Sequence, residues 1–466
     1  MSLEDDLYRQ RLEKTREIEA LGFRSYGHRF DFTHTIPQIL AAYRDSTPEQ
    51  LEPHVNVRIA GRVMTVRRMG KAAFAHLQQD GERLQIYVRK DAVPERDFAL
   101  FDLLDIGDII GAEGYLFRTR TGELSLHVEK LDFLSKTLFS MPEKWHGLED
   151  VETRYRQRYL DLLVNPEVRK VFTTRAKIVA ALRRVMNQHD FLEVETPMMQ
   201  PLYGGAAARP FVTHHNTLDI DLYLRIAPEL YLKRLIVGGL ERVFEINRNF
   251  RNEGISTQHN PEFTMLEFYQ AYTDYHGMMD LSEELLREAA IEATGSPTVE
   301  YQGQTLDFSK LPRRTMREIV GDPSLKGHAL VEAFERNFEH TLIQPQIVYE
   351  YPIEVSPLSM NSPDNPDFVD RFEIYAAGME IGNAFTELND PLEQRRRFEM
   401  QLGERAKGDE EAHQMDDDYV RALSYGMPPA GGEGLGIDRI TMILTNSKSI
   451  RDVILFPLMR PVEQVS

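Results

Sequence analysis

Two isolated arginines are the residues of this sequence best suited to chemistry on a charged substrate. Arg251 follows the strand-like run VFEINRNF, and Arg439 stands near the start of a helix that the glycine-rich run GGEGLGID opens. A guanidinium group offers a rigid fork of donors that matches a phosphate or a carboxylate. A helix N-terminus also favours bound anions. The two arginines together therefore predict a site for a phosphate group.

Two carboxylates closer to the C-terminus, Glu373 and Glu380, lie in a predicted hairpin with the sequence EIYAAGMEIGNAFTELND. A two- or four-residue loop centred on Ala376-Ala377 places them directly opposite each other, whereas a three-residue loop makes them diagonal neighbours. Like charges directly opposite each other destabilise a hairpin. A bound Mg²⁺, which takes one or two carboxylates plus substrate phosphates, removes that repulsion. The first arrangement indicates a magnesium site, and the second weakens the argument.

Two predicted strands joined by a polar loop, within residues 243–269, must position Arg251. Alternation along the first strand gives a polar face that carries Glu245, Asn247, Asn249, Arg251 and Glu253. The second strand and the loop contribute Phe263, Met265, Glu267 and Tyr269 on one side, with His259 and Asn260 before them. One interpretation is a hairpin with a solvated face. The other is that the polar face lines a pocket, because Asn, Gly and Glu are poor strand formers.

Several elements upstream frame the same region. A helix begins at Asn165-Pro166, where Asn suits the N-cap and Pro the first helical position, and a strand follows at residues 191–196. The small-residue loop YGGAAARP lets the backbone approach a ligand closely. Alternation predicts a strand over residues 218–226. The next helix has Glu229 in its first turn, where a carboxylate also suits the helix dipole, so a purely structural role is an alternative.

The composition sets outer bounds on the function. A chain of 466 residues is long enough for two or more domains with a large core. Its 55 Lys and Arg against 74 Asp and Glu give a net charge of −19, which argues against indiscriminate nucleic-acid binding but allows a local basic groove. The lack of cysteine excludes disulfides and thiolate metal sites and suits a reducing cytoplasm. The charged N-terminus is unlike a signal peptide, and no apolar run approaches ~18 residues, so no membrane helix is expected.

The first third of the chain has the pattern of a small β-barrel. A charged helix over residues 2–21 precedes five strand-like runs, with a short helix at residues 98–104 between the third and the fourth. Three strands, a helix and two strands is the order of an OB-fold barrel. Such barrels bind single-stranded nucleic acid by stacking bases on aromatic rings beside basic residues. The candidates are Phe74, Tyr87, Arg67, Arg68 and Gln85, although each alone is more typical of an ordinary barrel residue.

A charged segment over residues 141–160 follows the barrel and contains the only tryptophan of the chain. Its three aromatic residues predict a packed linker between two domains. Residues 277–345 are predicted to be mostly helical and polar, and they offer no chemistry.

These stretches together resemble the class II aminoacyl-tRNA synthetases, and within that class the bacterial lysyl-tRNA synthetases. The helix and strand ending at Pro197 are similar to motif 1 of the class, residues 250–263 to motif 2, and residues 434–439 to motif 3. Longer phrases such as GGAAARPF, RIAPELYLKRL and HNPEFTMLEFY are similar to the lysyl enzymes. The resemblance covers nearly the whole chain, including the barrel.

The resemblance implies an α+β protein in which an N-terminal OB-fold barrel precedes a class II catalytic domain, an antiparallel sheet flanked by helices. It implies an anticodon-binding domain over residues 1–140, a linker over residues 141–160 and a catalytic domain over residues 161–466, with an insertion near residues 316–345 that is shorter than usual. We expect this shortening to leave activity intact, because no matched site residue is lost.

The implied activity is that of a lysine–tRNA ligase. Such an enzyme activates L-lysine with ATP and Mg²⁺ to lysyl-adenylate, transfers the lysyl group to tRNA(Lys), and releases AMP and pyrophosphate. The resemblance further implies a homodimer in the cytoplasm without a membrane partner.

Residues that match the family's motifs take implied roles. Arg251 and Arg439 are the implied catalytic arginines, on the α-phosphate of ATP with the lysine carboxylate and on the γ-phosphate respectively. The remaining implied contacts are Glu253, His259 and Phe263 for ATP; Gly205, Glu229, Glu267, Tyr269, Asn383, Phe385 and Glu387 for lysine; Glu373 and Glu380 for Mg²⁺; and Arg67, Phe74, Gln85 and Glu123 for a U-rich anticodon.

Three alternatives remain at this point. An aspartyl- or asparaginyl-like synthetase shares the barrel but would want a basic or amide-selective residue where Glu267 and Glu387 stand. A paralogue that lysylates a translation factor lacks the N-terminal barrel, which is present here. A catalytically altered RNA-binding protein should have lost Arg251, Glu253 or Arg439, and all three are present.

Overall fold

A computed structural model describes residues 3–141, 150–406 and 414–461. The chain divides into two compact units. The first comprises residues 1–149 and 163–166, and the second comprises residues 150–162 and 167–466. The boundaries expected at residues 140 and 160 stay predictions.

The first unit is a closed five-stranded barrel with accompanying helices. Around the barrel the strand order is β1-β2-β3-β5-β4, and the strands β3 and β5 run parallel. The OB-fold prediction is confirmed, including a helix between the third and fourth strands. Its elements are α1 (Leu3–Ala20), α2 (Ile36–Tyr43), β1 (Asn56–Met69), β2 (Ala72–Gln79), β3 (Glu82–Arg89), α3 (Glu95–Leu103), β4 (Ile109–Arg118) and β5 (Leu124–Ser135), with a 3₁₀ turn at Glu49–Leu51.

Strict alternation explains why these segments form the barrel. Ile59, Leu77, Ile86 and Leu126 point inward and are completely buried, while their neighbours in sequence are partly exposed. The β2–β3 hairpin closes through Asp80-Gly81, whose φ values are both positive, as a tight two-residue turn requires. The outward positions of the same strands are therefore free to form a binding face.

The second unit is built on a sheet with helices around it. Its helices are α4 (Val151–Arg156), α5 (Arg158–Val164), α6 (Pro166–Gln188), α7 (Glu229–Val237), α8 (Tyr275–Thr294), α9 (Met316–Val320), α10 (Gly327–Asn337), α11 (Pro391–Ala406), α12 (Asp417–Leu423), α13 (Ile437–Leu444) and α14 (Ile450–Val453), with 3₁₀ turns at Glu339–Thr341 and Ile353–Val355. Its strands are β6 (Leu192–Glu193), β7 (Met199–Gln200), β8 (Val212–His215), β9 (Ile220–Leu224), β10 (Arg242–Phe250), β11 (Glu262–Ala271), β12 (Thr298–Tyr301), β13 (Gln304–Asp307), β14 (Arg313–Thr315), β15 (Gln346–Pro352), β16 (Phe368–Ala376), β17 (Met379–Thr386) and β18 (Ala430–Gly436).

Eight of these strands form one sheet in the order β14-β15-β16-β17-β18-β11-β10-β6. The pairs are antiparallel except at the two edges, where β14 and β6 run parallel to their neighbours. This confirms the expected antiparallel sheet flanked by helices. Residues distant in the sequence, on β10, β11, β16, β17 and β18, thereby come to lie side by side.

One face of this sheet is packed and the other is left for polar side chains. Phe244, Phe268, Phe372 and Ala384 are completely buried in a core that also contains residues of α6, α8 and α13. Because side chains alternate along a strand, the residues between them point to the opposite face. That face receives Glu267 and its strand neighbours.

The structure corrects some details of the sequence analysis. Residues 277–345 contain the expected helices α8, α9 and α10, but they also contain the hairpin β12–β13 and the strand β14. The strand expected at residues 191–196 is reduced to two residues that pair with β10. In the predicted linker, residues 142–149 lie outside the described part of the chain, and the remainder forms α4 and begins α5. Among the described residues, no helix is long and apolar enough to cross a membrane.

Candidate active site

A cavity of about 390 Å³ opens on the polar face of the large sheet. It is lined from the strands β11, β16, β17 and β18, from the loop before β11, and from the starts of α7 and α13. The sequence-predicted residues that line it are Gly205, Glu229, Arg251, Glu253, His259, Phe263, Glu267, Tyr269, Glu373, Glu380, Asn383, Phe385 and Arg439.

Arg251 stands just beyond β10 with its guanidinium group 5.1 Å from the centre of the Phe263 ring. Its backbone N–H donates to Pro261 at 2.9 Å, which fixes the turn before β11. The side-chain Nε is buried and has no hydrogen-bond partner among the described residues. A buried donor without a partner is costly, so this arginine is arranged to bind an anion that enters the cavity.

Arg439 is held at the first turn of α13. Its Nη1 donates to the carbonyl oxygen of Glu380 at 2.6 Å, and its Nη2 lies 3.1 Å from Nε2 of His259. Burial, followed by the positive charge of Arg439, lowers the pKa of His259. A neutral imidazole can accept a hydrogen bond from Arg439. The two side chains are therefore held together where they line the cavity.

The two predicted metal-binding carboxylates are not directly opposite each other. The hairpin loop consists of Ala377-Gly378, both with positive φ, and a bulge follows it. As a result Glu380 pairs with Tyr375, and Glu373 pairs with Asn383. The expected loop is centred on Ala376-Ala377, one residue earlier, and has no bulge. Both differences change which residues pair across the hairpin.

Glu373 and Glu380 nevertheless share the cavity and differ in their surroundings. Glu373 accepts hydrogen bonds from Tyr351 at 2.9 Å and from Tyr375, and it is 2.5 Å from Arg371. The loss of solvation at the cavity wall, followed by the negative charge of Glu373, raises the pKa of Glu380 to about 7. A cation between the two would relieve this repulsion. The described residues contain no cluster of three or more His, Cys, Asp or Glu side chains that could hold a metal by itself.

At the other end of the cavity lies an acidic pocket, formed by Glu229, Glu267 and Glu387. Burial raises the pKa of Glu267 to about 8, although Tyr269 donates a hydrogen bond to it at 2.8 Å. Burial also raises the pKa values of Glu229 and Glu387 against the opposing charge of Lys233. Three buried acids around a single ammonium group cannot all ionise cheaply. The pocket is therefore suited to a cationic ligand.

Two glycines let the backbone approach these carboxylates. A Cβ at Gly432 would lie 2.1 Å from Oε1 of Glu387 and 2.3 Å from the Tyr269 ring. A Cβ at Gly205, whose φ is +88°, would lie 2.9 Å from Cβ of Glu229. The small-residue loop and the glycine-rich strand thus shape the acidic pocket from opposite sides. Glu387 itself is completely buried behind Gly432 and next to the cavity lining.

Sequence reasoning missed two residues of this site. Arg371 lines the cavity and donates to Asn383 at 3.0 Å as well as to Glu373. Lys233 is completely buried between Glu229 and Glu387. Arg371 lies two residues before Glu373 and so shares its face of β16. Lys233 lies four residues after Glu229 and so shares its face of α7. These spacings would have indicated both residues.

The polar face of β10 does not line the cavity as the sequence suggested. Glu245 instead forms a buried ion pair with Arg225 at 2.7 Å and accepts a hydrogen bond from Asn247. Asn249 is buried, and its amide has no hydrogen-bond partner among the described residues. Only Arg251 and Glu253, beyond the end of the strand, reach the cavity.

The barrel of the first unit carries its own candidate face. Arg67 pairs with Phe74 across β1 and β2, and the Phe74 ring stacks on Tyr87 with centroids 4.7 Å apart. Gln85 donates to Glu123 at 2.8 Å on the same side of the barrel. Arg67 is exposed, so all four predicted anticodon residues lie on one accessible surface. Arg68 is different, because its guanidinium donates to three carbonyl oxygens at the end of α3.

The chain matches two known families. Residues 150–460 match the family described as tRNA synthetases class II (D, K and N). Residues 57–134 match the OB-fold nucleic acid binding domain. These two ranges correspond to the second unit and to the barrel.

Curated relatives cover the chain from end to end. The chain is 53% identical to a lysine–tRNA ligase of Moorella thermoacetica, with the whole of both chains aligned. It is 52% identical to one of Carboxydothermus hydrogenoformans over 98% of each chain. It is 50% identical to one of Bacillus subtilis, over 98% of this chain and 97% of the relative.

Proposed function

Because this chain belongs to the class II tRNA synthetases, as one of their lysine–tRNA ligases, we propose that the cavity of its second unit is where lysine is activated with ATP. The chain is an aminoacyl-tRNA synthetase that joins lysine to tRNA. One observation carries the assignment of the site: a single cavity is lined both by Arg251, whose buried Nε has no hydrogen-bond partner among the described residues, and by the buried carboxylates Glu229 and Glu267.

The acidic pocket is assigned to the two ammonium groups of lysine. Glu229 with the loop at Gly205 receives the α-ammonium group, and Glu267, Tyr269 and Glu387 receive the ε-ammonium group. A buried charge needs a charged partner, because an unpaired one is very costly. A neutral amino acid would leave these carboxylates unpaired and would be rejected for that reason. Phe385 and Asn383 border the space for the rest of the substrate.

The arginine end is assigned to ATP and to the reacting groups. A carboxylate oxygen of lysine attacks the α-phosphorus, a P–O bond to that oxygen forms, and the bond to the bridging oxygen of pyrophosphate breaks. Arg251 holds the α-phosphate with the lysine carboxylate, and Arg439 holds the γ-phosphate. Both offset the repulsion between anions, so little general-base catalysis is needed. Glu253, His259 and Phe263 seat the nucleotide, with the Phe263 ring stacked on adenine.

Glu373 and Glu380 fit a magnesium ion that also binds substrate phosphates. Their separation by the bulge leaves two carboxylates on one cavity wall, and Mg²⁺ uses one or two carboxylates together with phosphates and water. When bound, the ion neutralises phosphate charge. Arg371 lies 2.5 Å from Glu373 and holds that carboxylate in place at this site.

We assign the barrel to the anticodon of tRNA(Lys) through Arg67, Phe74, Gln85 and Glu123. The assembly we propose is a homodimer in the cytoplasm. The three-stranded sheet β7-β9-β8 supports the dimer, because it exposes the apolar side chains Met199, Val212 and Ile220. Sedimentation of the purified chain would measure the state of association directly.

The experiment that tests the activation site is ATP–pyrophosphate exchange with each amino acid separately, with Mg²⁺ and without tRNA. Exchange with lysine alone supports both the adenylation site and the acidic pocket. Exchange with a different amino acid would keep the adenylation site and overturn the pocket. No exchange with any amino acid would favour the alternative of a catalytically altered RNA-binding protein.

The Michaelis constant for lysine should fall as the pH rises from about 6 to about 8 and then level off. Burial raises the pKa of Glu267 to about 8, so this side chain is mainly protonated below that pH. An ammonium group binds the ionised form, and each pH unit below the pKa therefore costs up to about tenfold in affinity. Exchange kinetics across this range measure the effect, and the Michaelis constant for ATP is the internal control. A Michaelis constant for lysine that stays the same or rises as the pH rises would contradict the assignment of Glu267.

Phe74→Ala should raise the Michaelis constant for tRNA(Lys) by about 10- to 100-fold, because base stacking on an aromatic ring contributes ~1–3 kcal/mol. Lysine-dependent exchange without tRNA should stay unchanged, since Phe74 belongs to the other unit. Aminoacylation and exchange assays measure the two quantities. Phe32→Ala is the matched control, because Phe32 is an exposed phenylalanine of the same unit. Equal losses in both variants would contradict a base-stacking role.

A further inference from the structure

Lys233 is a buried cation that none of the roles above uses. It lies one helical turn after Glu229 on α7, and its side chain is completely inaccessible to solvent. Its Nζ is 2.6 Å from Oε1 of Glu229 and also contacts Oε2 of Glu387. The centre of the Phe385 ring is 5.1 Å from the same nitrogen. Although burial by itself lowers the pKa of Lys233, the charges of Glu229 and Glu387 outweigh it and raise the pKa.

Lys233 contacts one oxygen of each carboxylate, so the other oxygen of each is not in contact with this cation. Oε1 of Glu387 is buried without a hydrogen-bond partner among the described residues. It lies against the cavity-lining Gly432, where a Cβ would come within 2.1 Å. Glu229 itself lines the cavity. A buried carboxylate oxygen without a donor is unfavourable, so the arrangement is complete only when a ligand supplies one.

The charges of this pocket can be counted. Glu229, Glu267 and Glu387 carry three negative charges when ionised, and Lys233 is the positive charge in contact with two of them. When all three carboxylates are ionised, as binding of a cationic ligand favours, the pocket therefore has two negative charges in excess. Lysine carries two ammonium groups, and its carboxylate, which is bonded to the same carbon as the α-ammonium group, is assigned to Arg251. The excess in the pocket matches the cationic part of the substrate.

We propose that Lys233 is a positioning and charge-setting residue of the lysine pocket, which holds Glu229 and Glu387 in place and limits the pocket to two excess negative charges. This inference rests on the proposed assignment of the acidic pocket to lysine. It adds that selectivity for a diamino acid depends on an internal ammonium group as well as on the carboxylates. An ordinary core ion pair would stabilise the fold but would not control the affinity for lysine.

The test compares Lys233→Met with Arg234→Met in the full chain. Arg234 is the next residue of α7 and pairs with Asp416 at 2.8 Å outside the cavity, so its loss breaks an ion pair on the same helix. Lys233→Met should raise the Michaelis constant for lysine by about 100-fold, because Glu229 and Glu387 lose the cation that holds them in place and take up protons instead of remaining unpaired buried charges. The constant for ATP and the exchange rate at saturating lysine should change by less than about fivefold. Arg234→Met should leave all three values unchanged.

A double variant separates charge balance from damage to the fold. Lys233→Met with Glu387→Gln removes one cation and one anion and restores two excess negative charges. Its Michaelis constant for lysine should be no higher than that of Lys233→Met alone, whereas two independent losses of about 100-fold each would multiply. In thermal unfolding, the double variant should likewise be at least as stable as Lys233→Met alone, which gives a readout apart from activity. If Lys233→Met fails to fold, this recovery of folding and of lysine affinity in the double variant carries the test.

The outcomes distinguish this inference from the proposed function. The wild-type chain is assayed alongside, and lack of lysine-dependent exchange there would overturn the proposed function. If the wild-type chain shows lysine-dependent exchange and Lys233→Met has an unchanged Michaelis constant for lysine, only the role of Lys233 is overturned. Multiplicative losses in the double variant would overturn it as well. Recovery in the double variant, with Arg234→Met unaffected, supports the proposal.

Discussion

Arg251→Ala is expected to lower lysine-dependent ATP–pyrophosphate exchange by ~10³-fold or more, since removing a single preorganised donor at developing charge already costs ~10²–10³. Arg251 is assigned to both the α-phosphate and the lysine carboxylate, so its loss removes several donors at the reacting centre. Its buried Nε has no hydrogen-bond partner among the described residues, so this donor can bind a ligand. Exchange measured at saturating lysine and ATP tests the effect on the chemical step.

The matched control is Arg248→Ala, three residues earlier and on β10. Arg248 lies outside the cavity and pairs loosely with Glu262 at 3.7 Å, so its removal should change exchange by less than about twofold. Arg251→Lys refines the test, because a lysine keeps the charge but loses the planar fork. Full activity in Arg251→Ala would remove this residue from the reaction, and equal losses in both alanine variants would point to a general effect on β10.

The main elements around the site could be predicted because local patterns agree with the fold. The barrel strands alternate cleanly, and the turn at Asp80-Gly81 fixes the register of β2 against β3. Arg251 and Arg439 were recognisable because each stands beside a change of element, the end of β10 and the start of α13. The structure brings them to one cavity through the sheet order, in which β11 and β18 are neighbours.

What could not be predicted depends on register and on distant contacts. Because of the bulge after the Ala377-Gly378 loop, Glu373 and Glu380 do not pair across the hairpin, and no local sequence pattern predicts this bulge. Glu245 has the same alternation as the cavity residues, yet it pairs with Arg225 from a different segment. The partners of Arg371 and Lys233 likewise include residues far from them in the sequence. A sequence shows which side chains share a face, but the neighbouring strand decides what that face contacts.

Glu387→Gln is expected to raise the Michaelis constant for lysine by ~10²–10³-fold with a much smaller effect on the rate at saturation. The substitution preserves the shape of the side chain and removes one charge from a completely buried position. Breaking a buried ion pair costs ~3–5 kcal/mol, and about 1.36 kcal/mol corresponds to a tenfold change. The ε-ammonium group of lysine would lose a charged partner, and Lys233 would retain only Glu229. The affinity for ATP should be unaffected, because ATP is assigned to the arginine end of the cavity.

Selectivity should change together with affinity, since the same carboxylate that attracts lysine penalises an uncharged side chain. The ratio of exchange with lysine to exchange with norleucine, which lacks the ε-ammonium group, should therefore fall in Glu387→Gln. Glu393→Gln is the matched control: Glu393 pairs with Arg396 and Arg397 on α11, away from the cavity, so its loss removes an equal charge without touching the pocket. Unchanged affinity and unchanged preference for lysine in Glu387→Gln would refute the assignment of the acidic pocket. A loss of affinity without a loss of preference would move Glu387 from recognition of the ε-ammonium group to support of the pocket around Lys233.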